Sequence, residues 1–211
     1  MNRRIFCIAS LSGVAPALSL SGPLSIAPRA LLRRSADIDC GLDQFGRQYC
    51  TAGIKSFQAQ QFAQTQDMSQ WCWATAISMI FQHYGHPLLQ PRIVAEAYGG
   101  IVNMPGGPFQ ILGALNRSWI DDAGVGFTST ADAVTTTNAT AIQDLADNHP
   151  LLVGALGHAV VLTAMTFYPT MQGPQVVDAI VRDPWPTAPS RRSLTPQEWY
   201  NISLGARIRV Q

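Results

Sequence analysis

The sequence predicts an α+β fold, and three observations point to it. Trp73, Ile77, Ile80, Phe81 and Tyr84 recur at spacings of three and four, which gives a helix one buried stripe. After His149-Pro150 the period changes: Leu151 to Ala155 is apolar throughout, and His158 to Met165 is rich in β-branched residues, as strands are. The order also matters, since helix signals fill the first half and antiparallel strand signals the second.

Residues 1–36 differ in kind from the rest. They hold five arginines and no acidic residue, and Arg3-Arg4 precede an apolar run from Ile5 to Leu20 diluted by Ser, Gly and Pro. This reads as an export signal, the alternatives being a disordered Arg-rich tail or an organelle transit peptide. The run is too broken for a transmembrane helix, so no stable membrane insertion is expected. Residues 37–65 form an N-terminal extension in which Cys40 and Cys50 bracket a short Gly-containing loop. In an oxidising compartment the two would pair and leave Cys72 as the odd thiol; in the cytosol both would stay reduced. Secretion or a periplasmic location follows from the first choice.

From Ile54 to Gln66 the Gln-rich stretch reads as an irregular approach to the central helix, which Gly85 and Pro87 stop. Leu89 to Tyr98 is a short helix with Pro91 in its first turn and Gly99-Gly100 at its end. Phe109 to Asn116 is another, fed by the Met104-Pro-Gly-Gly-Pro108 loop. Gly124 to Thr130 reads as extended, and Thr135 to Asn138 offers caps to a helix over Ala139 to Asn148. Gly157 marks a turn, Tyr168 to Pro174 a hairpin loop and Gln175 to Asp183 the return strand. Pro184 to Arg192 is a Pro-rich connector. Thr195-Pro-Gln-Glu198 is a capping box, and Ala206 to Val210 alternates as a last strand would. No internal repeat appears.

A chain of 211 residues supports one well-buried domain, and 13% charged residues beside 47% hydrophobic ones exclude a disordered protein. The net charge of +1, without an aromatic-interleaved basic patch, gives no reason to bind nucleic acid. His83, His86 and His149 read as surface or helix-end residues, because no paired Cys–x2–Cys or His–x3–His spacing supports zinc.

One stretch carries chemistry. Cys72 falls in the first turn of the central helix, where unpaired N–H groups and the positive end of the dipole favour a thiolate. A buried cysteine is otherwise just a small hydrophobe. His158 opens an apolar strand after Gly157, and Asp183 ends the strand expected to pair with it, so a hairpin would bring carboxylate toward imidazole.

Cys72-Trp73-Ala74, with Gln66 six positions upstream, resembles the papain-type cysteine peptidases, whose Gln–x5–Cys–Trp–Ala element supplies an oxyanion-hole glutamine and the nucleophile. Gly157-His158-Ala159-Val160 resembles their histidine strand, and Asp183-Pro184-Trp185 is similar to their Asn–x–Trp element with Asp for Asn. The likeness runs from Gln66 to Trp185 and is nearest to the compact bacterial branch of bacteriocin-processing and secreted effector peptidases. It implies a papain-like catalytic domain over 66–211, with a helical half carrying the cysteine and an antiparallel β half carrying the histidine and aspartate. Cys72 would be nucleophile, His158 base and later acid, Asp183 the orienter and Gln66 an oxyanion donor beside the Cys72 N–H. The substrate would be a protein or peptide, the enzyme a monomer, and no cofactor is implied. The same triad could run transamidation, deamidation or isopeptide cleavage, or sit unused in a binding module. Residues 37–65 are too few for the long inhibitory pro-segment of larger members. Gln58, Gln60, Gln61, Gln64 and Gln70 compete with Gln66, which is favoured by spacing alone.

Overall fold

The computed structural model describes residues 37–133 and 137–211. The export signal expected over residues 1–36 lies outside the described residues. The chain enters as a hairpin of β1 (Ile38–Leu42) and β2 (Gln48–Gly53), whose turn is held by Asp43 accepting the backbone N–H groups of Phe45 and Arg47. Cys40 and Cys50 lie opposite each other in this ladder and form a disulfide. In place of an irregular approach, a short helix α1 (Ser56–Gln61) follows. Its apolar anchors are Ala59 and the adjoining Phe62, too few in a run of glutamines to display a period.

Three helices come next, α2 (Cys72–His83), α3 (Gln90–Tyr98) and α4 (Pro108–Leu115), where the sequence puts them. Gly99 closes α3 at φ 74°, a left-handed position that a side chain would strain. β3 (Arg117–Ile120) and β4 (Gly126–Asp132) form a hairpin of which only the second strand was legible, because Trp119 is the single buried residue of the first. The turn between them is tied by Asp121, which accepts from Ala123 N, Val125 N and His86. Helix α5 (Asn138–Ala146) is capped by the Thr137 hydroxyl.

The remaining elements are β5 (Leu151–Ala155), β6 (His158–Thr170), β7 (Gly173–Arg182), β8 (Arg191–Ser193), α6 (Pro196–Tyr200) and β9 (Ile202–Val210). Three differ from the sequence reading. The expected loop at Tyr168 to Pro174 is the paired end of the β6–β7 hairpin, in register out to Thr170 and Gly173. The connector after Pro184 contains the edge strand β8, and β9 begins four residues before Ala206. His83 ends α2 and His149 lies just past α5, helix ends as the sequence suggests, and both are half-buried: His83 bonds the Asn148 carbonyl, and His149 bonds the Tyr84 hydroxyl.

Among the described residues the strands make one sheet in the order β1-β2-β6-β5-β9-β4-β3, with β7 on β6 and β8 on β7. β6 is its spine. Its first residues pair with β5, its middle with β2 on the same edge, and its other edge with β7. Both faces of β5 and β6 are covered, which is why they read as unbroken apolar runs. Leu152, Ala159 and Val161 face the α2 side, with Trp73, Ile77, Ile80 and Phe81. Leu151, Val153, Val160 and Leu162 face α5, with Ile142 and Leu145. Among the described residues no helix is long and apolar enough to cross a membrane.

The disulfide closes a loop with a sequence separation of 10. On the chain-entropy model it stabilises by about 2 to 3 kcal/mol, so reduction, or Cys40→Ser with Cys50→Ser, should lower the thermal midpoint by about 5 to 10 °C. An unchanged midpoint in calorimetry would remove the disulfide from the account of stability.

Candidate active site

Cys72 is the first residue of α2, with Trp71 as its cap and no acidic residue in the first turn to offset the dipole. Both flanking indoles are buried and sewn to the loop over residues 99–107. Trp71 Nε1 donates to the Val102 carbonyl at 2.8 Å, and Trp73 Nε1 to the Met104 carbonyl at 3.2 Å. Gly106 lies so close to the Trp73 ring that a Cβ there would fall 2.3 Å from it. Asn103 completes the fastening, accepting from Gln70 N and donating to the Ser69 hydroxyl. The two tryptophans are thus core residues that anchor this loop on either side of Cys72.

His158 follows a two-residue turn, Leu156 at φ 51° and Gly157 at φ 79°, that links β5 to β6 with Ala155 opposite His158. Positive φ at both positions matches the strand twist. Leucine is an unusual choice there, and its side chain is exposed. Asp183 lies just past the end of β7, its N–H bonded to the Ser190 carbonyl. The backbone N–H of Gln66 donates to the Pro184 carbonyl at 2.9 Å, joining the segment before α2 to the segment after β7.

These elements bring sulfur, imidazole and carboxylate together. His158 Nε2 donates to Asp183 Oδ1 at 2.7 Å. A carboxylate only accepts, so that nitrogen carries the proton and Nδ1 is left to interact with the sulfur of Cys72, whose ionisation is coupled to that of the imidazole. Trp185 stands edge-on to the imidazole with centroids 6.0 Å apart, and its N–H donates to Asp183 Oδ1 at 2.8 Å. Beside them is an open groove of about 460 Å³ whose walls include Ser69, Gln70, Cys72, His158, Trp185 and Arg192.

Ionisation follows from these contacts. Burial opposes a charged Cys72, but hydrogen bonds from His158 and from the Ala159 and Trp73 N–H groups outweigh it and hold the thiol below its ordinary value. Burial also opposes the imidazolium; hydrogen bonds to Asp183 and Cys72, and their charges, overcome it and raise His158 to about 9. For Asp183 burial works against ionisation, while donors from His158, Trp185 and Arg192 hold the carboxyl below its ordinary range.

Gln66 is placed differently from the other three. It is 5% exposed, its Nε2 donates to the Met68 carbonyl at 2.8 Å, and its Oε1 has no partner. The groove wall at that level is built by Ser69 and Gln70. Sequence reasoning also missed Arg192, whose Nε donates to Asp183 Oδ2 at 2.6 Å. No spacing marks it, because its contact is made across β7 and β8. Among the described residues no group of His, Cys, Asp and Glu could hold a metal ion.

A cysteine at a helix start beside a histidine that opens one strand and an aspartate just past the end of its antiparallel neighbour defines a papain-like cysteine peptidase, and that is the class to which fold and site point. The model of the family described as "Papain-like cysteine protease AvrRpt2" matches residues 55–203, and the chain belongs to that family. Among curated proteins no sequence matches. Similar solved structures include a double-glycine-motif protease from an AMS/PCAT transporter in complex with the leader peptide, at 13% identity and TM-score 0.46, covering 69% of this chain and 89% of that one. The peptidase domain of Streptococcus ComA, a bifunctional ABC transporter of a quorum-sensing pathway, is similar at 16% identity and TM-score 0.47, covering 70% and 96%.

His158 makes stability depend on pH with a definite sign. Its pKa is raised on folding from 6.5 to about 9, so its contribution is whole below 6.5, fades as pH climbs to about 9 and is absent above. The midpoint difference between the parent and His158→Gln should therefore shrink over that window in thermal scans. A difference that grows with pH would contradict the raised imidazolium.

Proposed function

We propose that this peptidase cleaves peptide bonds of a protein or peptide substrate through Cys72, His158 and Asp183, with Gln66 as an oxyanion donor. The observation that carries the reading is the His158–Asp183 hydrogen bond beside Cys72 at the head of α2, with all three residues lining one open groove. The Cys72 thiolate attacks the scissile carbonyl carbon, and its oxygen becomes the oxyanion of a tetrahedral intermediate. The Cys72 backbone N–H, one of the unpaired donors of the first turn of α2, faces that charge. Gln66 keeps a second Nε2–H beyond the one given to Met68, and we assign it to the same oxygen. The His158 imidazolium passes a proton to the leaving amine as the C–N bond breaks, leaving a thioester. The imidazole then takes a proton from water, which attacks the thioester; the acid leaves and the thiolate–imidazolium pair returns. Asp183 keeps the ring oriented throughout.

We also place the mature protein outside the cytosol or in the periplasm. The Cys40–Cys50 disulfide and the basic-then-apolar start of the sequence support this.

Incubating the protein with a peptide library and identifying the products by mass, with and without a competing amine, tests the reaction. Hydrolysed peptides that vanish in Cys72→Ala, with the fold retained, are the expected result; amine adducts as the main product would redirect the reading to transamidation. For the oxyanion, Gln66→Ala should lower kcat by about 100-fold with KM little changed, whereas Gln70→Ala should stay within about threefold of the parent. The reverse pattern would move the donor to Gln70.

A further inference from the structure

Asp183 has more partners than an orienting carboxylate requires. Oδ1 serves His158 Nε2 and the Trp185 N–H, while Oδ2 accepts from Arg192 Nε at 2.6 Å. Arg192 is itself gripped from behind. Its two terminal nitrogens donate to the two oxygens of Glu198 at 2.8 and 2.7 Å, fork against fork, and one of them also reaches the Ser193 carbonyl. Glu198 is fixed in turn by the cap of α6, accepting the Thr195 N–H at 2.8 Å while its own N–H donates to the Thr195 hydroxyl. Side-chain exposure is 3% for Asp183, 19% for Arg192 and 15% for Glu198, so the line is largely shielded from water. It runs unbroken from the start of α6 to the imidazole.

We propose that Arg192, braced by Glu198, is a positioning residue for this reaction, holding the Asp183 carboxylate so that Oδ1 stays on His158 Nε2. The proposal rests on the Cys72–His158–Asp183 reading given above. A carboxylate bonded through one oxygen can rotate about its last bond; a second, rigid donor on the other oxygen stops that rotation. The fork geometry is what a lysine would lack. Charge and geometry act here with opposite signs. As a bare cation beside Asp183, Arg192 weakens the pull of the carboxylate on the imidazolium. As a lock, it preserves the short contact that stabilises the imidazolium.

The opposition makes the test decisive. Using the full chain, kcat and KM on a cleaved library peptide would be measured against pH, and the rate of Cys72 alkylation by iodoacetamide at neutral pH. Arg192→Met, Arg192→Lys and Glu198→Gln would be compared with the parent, and thermal unfolding would confirm that each is folded. We expect Arg192→Met to lower kcat by about 100-fold at nearly constant KM, as a small misplacement of a reacting group does. The alkaline limb of its kcat/KM–pH profile, where the imidazolium is lost, should move to lower pH although a cation has been removed. Arg192→Lys should recover part of both effects, and Glu198→Gln should lower kcat by about tenfold. An alkaline limb that moves to higher pH in Arg192→Met would mean that the residue acts by charge alone and would overturn the proposal. Should Arg192→Met not fold, parental kcat in both Arg192→Lys and Glu198→Gln would overturn it equally. A parent whose Cys72 alkylates no faster than an ordinary thiol would sink the site reading itself, whatever the Arg192 variants do.

Discussion

One packing contact governs the site: α2 lies on β6, so the first residue of the helix meets the first residue of the strand. The contact is apolar and dry. Trp73, Ala76, Ile77 and Ile80 from the helix and Ala159 and Val161 from the strand share one buried cluster. Fully burying a residue of isoleucine size contributes about 1.5 to 3 kcal/mol, so a handful of them far outweighs any single polar contact at the rim. Such a core tolerates little sliding, since a one-residue slip of β6 would turn Val161 from the α2 face to the α5 face and displace His158 from its place beside Cys72. The placement of sulfur and imidazole is therefore a consequence of core packing, and the polar groups refine what the core has set.

Two buried carboxylates show how the same chemistry serves different ends. Asp144, 2% exposed, takes its bonds from Arg207 and Arg209, and both of those partners stay charged at any ordinary pH. It ties α5 to β9. Asp183, 4% exposed, has one arginine and one histidine. Replacing a permanent cation with one that titrates turns a structural ion pair into a group whose charge answers to its neighbour, which is what proton transfer needs. Burial raises the stakes in both cases, because an unpaired charge at either position would cost several kcal/mol.

Much of this was legible in the sequence, for physical reasons. The stripe from Trp73 to Tyr84 is long enough to display its period, and β5 and β6 are covered on both faces, so their apolar runs are unbroken. The family likeness needed the conjunction of Cys72-Trp73-Ala74, Gly157-His158 and Asp183-Pro184-Trp185, each ordinary alone. What stayed hidden was made by contacts between distant elements. β3 has one buried residue and no alternation to read. Glu198 was visible as half of a capping box, yet its grip on Arg192 depends on β8 lying beside β7. Arg192 had no local signature, and the bond from Gln66 to the Met68 carbonyl is one that spacing does not encode.

The most direct measurement is the ionisation of Cys72 itself, followed by the ultraviolet absorbance of the thiolate in the parent with Cys72→Ala as the blank. The account predicts that the thiolate forms below the ordinary thiol value of 9.0, and that His158→Ala moves its formation back up. A thiolate that forms only near the ordinary thiol value of 9.0, in the parent and in His158→Ala alike, would contradict it.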